Sequence, residues 1–109
     1  MDKNMQQIEI LKYDMEEAKL QQLKRVALYM EMLEEQMKEK TDAIIDDLVQ
    51  IRKNQGITQQ DIAEKVGVRA PNITRFEKKK SHPSLQFLSK YADALGYQID
   101  IGLSKKDMM

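Results

Sequence analysis

The chain has 109 residues, 41% of them hydrophobic and 33% charged, with 18 basic residues balanced by 18 acidic ones. That balance suits a globular or helical protein and excludes a disordered one, while the absence of Cys excludes disulfides and thiol chemistry and fits a cytoplasmic chain. No stretch reaches the roughly 18 apolar residues of a membrane span, and the N-terminus lacks a secretory apolar segment, so no membrane association is expected.

The zero net charge hides an uneven layout. Residues 1–40 carry seven basic residues against nine acidic ones, and residues 41–51 carry three acids and no base. Residues 52–80 carry eight bases against three acids, and residues 81–109 balance at three of each. The positive excess is therefore confined to one short stretch, where it reads either as a solvated face or as the footprint of a polyanion.

From Met5 to about Lys40 the chain has no Gly, no Pro and only strong helix formers. Apolar residues recur at Ile8, Leu11, Met15, Ala18, Leu23, Val26, Met30, Leu33 and Met37, close to a 3.6-residue period. The pattern predicts one long amphipathic helix over residues 1–40 with acidic flanks. It is not a strict coiled coil, because Gln22 and Arg25 fall where a heptad counted from Ile8 needs apolar residues. Five of the eight Met lie between residues 5 and 40 of this helix, as packing filler or as an adaptable partner surface. A helix of this length has little core of its own to lie against, which favours the partner surface or a dimerisation role.

Thr41-Asp42 offers an N-cap, so a break is expected there. A second helix then runs from about Ala43 to Asn54, burying Ile44, Ile45, Leu48 and Ile51, and stops at Gly56. Thr58 caps a third helix, with Asp61 in the position of a capping-box acid and Ile62, Ala63 and Val66 facing inward until Gly67 ends it. Pro71 fits only in a first turn, so a fourth helix begins near Arg69–Ala70, with Ile73 and Phe76 on its buried edge. Ser84 caps a fifth, whose stripe is Leu85, Leu88, Ala92 and Leu95, ending at Gly96. From Tyr97 to Leu103 the period changes to strict alternation, which predicts a short β-strand. No second segment alternates like it, so the expected partner is the same strand of a second copy, burying Tyr97, Ile99, Ile101 and Leu103 across a two-fold axis, or the sheet edge of another protein. Residues 104–109 are expected to be a frayed tail.

Two short helices joined at a Gly turn, with helices before and after, make a helix-turn-helix whose second member can lie in a DNA major groove. On a wheel centred on buried Ile73, the outer face of the fourth helix carries Pro71, Thr74, Arg75 and Lys78, with Ala70 at its leading tip. Arg75 is the bidentate donor suited to a guanine edge. Arg69 can reach a base or a phosphate, and Gln59 and Gln60 open the third helix, where amide groups favour a phosphate. Lys78, Lys79 and Lys80 can follow the backbone. The full DNA-binding set is Gln59, Gln60, Arg69, Ala70, Pro71, Asn72, Thr74, Arg75, Lys78, Lys79 and Lys80. His82 is the sole His, in a loop beside Pro83, and the four Gly are scattered. Neither a metal site, a cofactor nor an enzyme is expected.

The runs R-K-N-Q-G-I-T-Q-Q-D-I-A-E-K-V-G-V, I-T-R-F-E, P-S-L and A-L-G within residues 44–95 resemble the Xre, or phage-repressor-like, helix-turn-helix family. The resemblance implies that Gln59 contacts phosphate, that positions 70, 71 and 75 read bases, and that Arg52 pairs with Glu77 as an internal brace. Three residues depart from the family pattern. Arg69 stands where it favours a small capping Ser or Thr, Ala70 replaces an amide, and Lys79 replaces a Gly, which puts the geometry of that turn in question. With its N-terminal helix and the run A-L-G-Y-Q-I-D-I, the chain most resembles HigA-type antitoxins of type II toxin–antitoxin systems.

The expected fold is therefore mostly α: a phage-repressor-like helix-turn-helix bundle over residues 41–103, with the long N-terminal helix and one short C-terminal β-strand that pairs between chains. The resemblance implies a DNA-binding regulator that neutralises a toxin and represses its own operon. The acidic flanks of the N-terminal helix suit a small basic toxin, and strand pairing between two copies would make a homodimer whose recognition helices lie about one DNA turn apart, on an inverted-repeat operator. A stand-alone Xre-family repressor without a toxin remains an alternative, as does an interaction module that has lost DNA binding.

Overall fold

The computed structural model describes residues 3–107, with side chains from Leu11 onward. Four helices make up its regular structure: α1, Lys3–Asn54; α2, Gln59–Val66; α3, Ala70–Glu77; and α4, Leu85–Ala94. The chain divides into two compact units, one ending at Glu39 and the other beginning at Lys40.

Up to Glu39 the first unit is a single stretch of α1. Its described side chains are exposed except for half-buried Leu33, and the exposed set includes Leu11, Met15, Leu23, Val26, Met30 and Met37 of the expected stripe. The expected break at Thr41-Asp42 does not occur, since α1 continues unbroken to Asn54. A capping residue starts a helix only if the chain ahead of it leaves the helical region. Here strong helix formers lie on both sides of Thr41, with no Gly or Pro to release the backbone.

The second unit closes around one apolar core. Ile45 and Leu48 come from α1, Ile62 and Ala63 from α2, Ile73 and Phe76 from α3, Leu88, Tyr91 and Ala92 from α4, and Leu95 caps α4. The Phe76 ring packs edge-on against Phe87 at 4.9 Å and tilted against Tyr91 at 5.0 Å. Such pairs add about 0.5–1.5 kcal/mol to the area they bury. Leu85, expected on the buried stripe of α4, is exposed. It is the first helical residue, a turn ahead of where α4 meets the core at Leu88.

The short helices depend on their ends. Thr58 Oγ1 accepts from the Asp61 amide at 3.1 Å, and Asp61 Oδ2 accepts from the Thr58 amide at 3.2 Å, completing a capping box. Those hydrogen bonds hold the Asp61 carboxyl below its ordinary pKa. Ser84 Oγ accepts from the Phe87 amide at 3.1 Å and caps α4 in the same way. Arg69, at the N-cap of α3, makes no capping hydrogen bond.

Gly56, Gly67 and Gly96 all take positive φ beyond helix ends, and among the described residues one non-glycine, Lys79, does so at φ 62°. After α3 the Lys79 amide donates to Phe76 O at 3.0 Å and the Lys80 amide to Arg75 O at 3.1 Å, the paired closing bonds of a Schellman turn. The turn thus keeps the left-handed geometry suited to glycine although Lys occupies it. Lys79 Nζ bonds Asp46 of α1 at 2.7 Å, and that contact raises its pKa.

The expected C-terminal strand is absent: the described residues contain no β-strand. The Tyr97 amide donates to Ala92 O at 2.9 Å, closing α4, and the chain beyond it forms no ladder. Ile99 is half-buried against the core, while Tyr97, Ile101 and Leu103 are exposed, so the alternation marks no buried face. A strand is defined by its neighbour, and this chain supplies no second alternating segment to pair with. The expected pairing of Tyr97, Ile99, Ile101 and Leu103 across a two-fold axis loses its basis with the strand. Of the tail expected to fray, Met108 and Met109 lie outside the described residues.

Left-handed backbone costs a non-glycine residue about 1–2 kcal/mol, and more when the side chain is β-branched. Lys79→Gly and Lys79→Val both lose the Asp46 contact, so their difference isolates the backbone. In thermal unfolding Lys79→Gly should raise the midpoint and Lys79→Val should lower it. Equal midpoints would remove the strain from position 79.

Candidate nucleic-acid interface

A single carboxylate joins the four helices of the second unit. Arg52 near the end of α1 donates to Glu77 through both Nε, at 2.9 Å, and Nη2, at 2.8 Å. Gln59 at the start of α2 donates to the same carboxylate at 3.0 Å, and the Tyr91 hydroxyl of α4 donates at 2.9 Å. Arg52 Nη1 also donates to Ile57 O at 2.7 Å, tying down the loop between α1 and α2. The pair is dry, with Arg52 7% exposed and the Glu77 side chain 6% exposed. Burial alone would lower the Arg52 pKa, but the hydrogen bonds and charge of Glu77 outweigh it and the net shift is upward. Burial pushes the Tyr91 hydroxyl up, with Glu77 adding and Arg52 opposing, so the phenol stays protonated as a donor.

With its inner edge held at Ile73, Phe76 and Glu77, α3 turns the opposite side outward. Pro71, Asn72, Arg75 and Lys78 are exposed along it, and Arg69 is exposed just ahead of its first residue. The remaining expected contacts divide. Ala70 is half-buried and packs its methyl on the core. Gln60 is exposed, its amide donating to Glu64 at 3.3 Å. Thr74 is half-buried, its hydroxyl turned to Gln59 at 2.8 Å instead of outward. The lysine triplet does not act as a block: Lys78 and Lys80 are exposed, and Lys79 turns back to Asp46.

Reading the sequence missed most of these connections. Tyr91 lies three residues after Leu88 and four before Leu95, so helical spacing alone puts it on the buried stripe, and a buried hydroxyl needs a partner. Asp46–Lys79 and Thr74–Gln59 join residues distant in sequence and leave no periodic signal. Among the described residues no cluster of His, Cys, Asp or Glu could hold a metal ion, and no helix is long and apolar enough to cross a membrane.

Helix α2, the turn at Gly67–Arg69 and the outward-facing α3, braced by α1 and α4, define a helix-turn-helix of the kind that presents its second helix to a DNA groove. The helix-turn-helix family model matches residues 48–101. Antitoxin HigA1 of two Mycobacterium tuberculosis strains, CDC 1551 / Oshkosh and H37Rv, is 35% identical over 65 residues, 60% of this chain and 44% of theirs. An uncharacterized HTH-type transcriptional regulator of Archaeoglobus fulgidus is 39% identical over 51 residues, 47% of this chain and 73% of that protein. Among solved structures, a toxin–antitoxin module from Streptococcus pneumoniae matches with a TM-score of 0.51 and 32% identity, covering 69% of this chain and 79% of that one. The chain belongs to the helix-turn-helix family and carries its Xre-like form. It spans less than half the length of the HigA1 antitoxins it matches.

Removing one partner of a buried ion pair strands the other charge at a cost of about 3–5 kcal/mol. Losing one neutral donor to a carboxylate costs roughly 1.5–3 kcal/mol. Glu77→Ala should therefore lower the unfolding free energy more than Tyr91→Phe, measured by urea titration without DNA. Equal losses would mean that the carboxylate does not join the helices.

Proposed function

We propose that the chain is a DNA-binding transcriptional regulator acting as the antitoxin of a type II toxin–antitoxin pair, neutralising a small basic toxin and repressing its own operon from the cytoplasm. The observation that carries the reading is the exposed outer face of α3, with Arg75 at its middle and Lys78 and Lys80 at its end. Similarity to HigA1 antitoxins and to a toxin–antitoxin module supports the toxin half of the reading. So does the exposed Leu, Val and Met stripe of α1, which suits a helix-in-groove contact, in a segment with two more acidic than basic residues. One α3 carrying one bidentate donor reads few base pairs. A homodimer on an inverted repeat, with half-sites about 34 Å apart, would supply the rest.

Each residue has its own place in this reading. Arg75 reads a guanine edge, and Arg69, Pro71 and Asn72 lie beside it at the groove. Lys78 and Lys80 contact phosphates, whereas Lys79 is largely occupied by Asp46. Ala70, its methyl packed on the core, brings no polar group to the groove. Arg52 and Glu77 hold α3 without touching DNA.

Gel-shift titration of the chain's own promoter DNA tests the DNA half. Arg75→Ala should cost roughly 1–3 kcal/mol on the best site and relax preference at one base pair per half-site. Lys80→Ala should weaken all sequences alike and flatten the salt slope by about one unit, with a smaller effect for Lys79→Ala. Intact operator discrimination in Arg75→Ala would move the reading face elsewhere.

Among the described residues every buried core residue lies between Ile45 and Leu95, so deleting residues 1–40 should leave 41–109 folded and able to bind DNA as a dimer. Capture of a small basic toxin, tested by co-purification, should be lost. A truncated chain that is monomeric and cannot bind its operator would assign the N-terminal helix to dimerisation and favour the stand-alone repressor.

A further inference from the structure

Gln59 sits at the first position of α2, and both ends of its carboxamide are engaged by α3. Its Nε2 donates to Glu77 Oε1 at 3.0 Å, and its Oε1 lies 2.8 Å from Thr74 Oγ1. The orientation of the amide follows from chemistry. Glu77 is ionised against Arg52 and can only accept, so the Gln59 nitrogen must face it. The opposite orientation would set two oxygen acceptors against each other. The Gln59 oxygen then faces Thr74, and the Thr74 hydroxyl must donate. That hydroxyl has one proton and a second acceptor in reach, Ala70 O at 3.3 Å, but the shorter contact to Gln59 is the stronger claim on it.

The result is a directed chain, from the Thr74 hydroxyl to the Gln59 amide to the Glu77 carboxylate. Gln59 has one hydrogen on Nε2 that neither contact uses. Because the oxygen and the other hydrogen are held by two residues of the same helix, the direction of the remaining N–H is set by α3. Ala70, at the head of α3, has no polar side chain to share this task, so Thr74 is the only α3 hydroxyl holding the Gln59 oxygen.

We propose that Thr74 is a positioning residue that fixes the Gln59 carboxamide so that its free N–H meets a phosphate of the DNA backbone. This rests on the DNA-binding reading above. In this role Thr74 reads no base: its hydroxyl proton is spent on Gln59, and its effect on DNA passes through that side chain. The linkage registers α3 and α2 on the same duplex, because the phosphate donor of one helix is aimed by the other.

The full chain is compared with its Thr74→Val, Thr74→Ala, Thr74→Ser and Gln59→Ala variants, and with Thr74→Val in the Gln59→Ala background. Binding is measured by fluorescence anisotropy on a mixed-sequence duplex and on the tightest duplex selected from a randomised pool. The Gln59 side-chain amide protons are followed by NMR without DNA. Thr74→Val and Thr74→Ala should weaken both duplexes by the same factor, about 3–10-fold, leaving base preference unchanged. Thr74→Ser should restore binding. Thr74→Val should add nothing once Gln59 is Ala, and without DNA it should speed exchange of the Gln59 amide protons. A Thr74→Val protein that binds both duplexes as the parent does would overturn the proposal, as would altered base preference or a loss that persists in the Gln59→Ala background. A parent chain that binds neither duplex overturns the DNA-binding reading itself, and the positioning role with it.

Discussion

The Glu77 carboxylate is the interaction on which the second unit depends. Four donors from three other helices converge on its two oxygens: two from Arg52, one from Gln59 and one from Tyr91. A buried charge of this kind contributes little net stability over an apolar replacement, because desolvation offsets most of the attraction. What it supplies is geometry. Apolar contacts among Ile45, Ile62, Ile73 and Phe76 tolerate sliding and rotation of one helix on another, whereas a bidentate guanidinium and two further directed hydrogen bonds do not. Once Glu77 is satisfied, the rotation of α3 about its axis is set, and the side facing out is settled with it.

That constraint also separates the charged residues into different kinds. Arg52 and Glu77 are withdrawn from solvent, and Lys79 is tied to Asp46. Arg69, Arg75, Lys78 and Lys80 remain exposed along α3 and past its end. Burying Arg52 with Glu77 removes one charge of each sign, so the positive excess of residues 52–80 is reduced only by the pairing of Lys79 with Asp46, and what remains is more sharply placed. A count cannot separate a brace from a binding group, because the difference lies in which side chains the fold turns inward.

Much of the helix-turn-helix was legible because its signals are local. The Thr58 and Ser84 caps, the glycines at 56, 67 and 96 and the first-turn Pro71 each act within a few residues. What escaped was either nonlocal or conditional. The Tyr97–Leu103 alternation is a true pattern, but a strand needs a neighbour, and a periodic segment without one stays irregular. Thr41-Asp42 has the composition of a cap, yet a cap needs a backbone free to leave the helix, and nothing there releases it. Lys79 in left-handed backbone defies residue preference because the Schellman bonds and Asp46 outweigh the local cost. The Arg52–Glu77 brace was reached through family resemblance and not through spacing, since a contact spanning 25 positions leaves no periodic trace.

The unequal ends of α3 have a consequence for how it behaves in water. Its C-terminal end is held by Glu77 and by the closing bonds of the Schellman turn, while its N-terminal end begins at an uncapped Arg69. Eight residues are too few to sustain a helix alone, so opening must propagate from the loose end toward the anchored one. Amide hydrogens near Asn72 and Ile73 then exchange with solvent before those near Phe76 and Glu77. If α3 enters a DNA groove as proposed, its leading turn carries the side chains that would enter first, and ordering that turn would be part of the cost of association. On the proposed DNA-binding reading that cost would fall on correct and incorrect sequences alike, leaving discrimination to Arg75, the proposed base reader, one turn further along the helix.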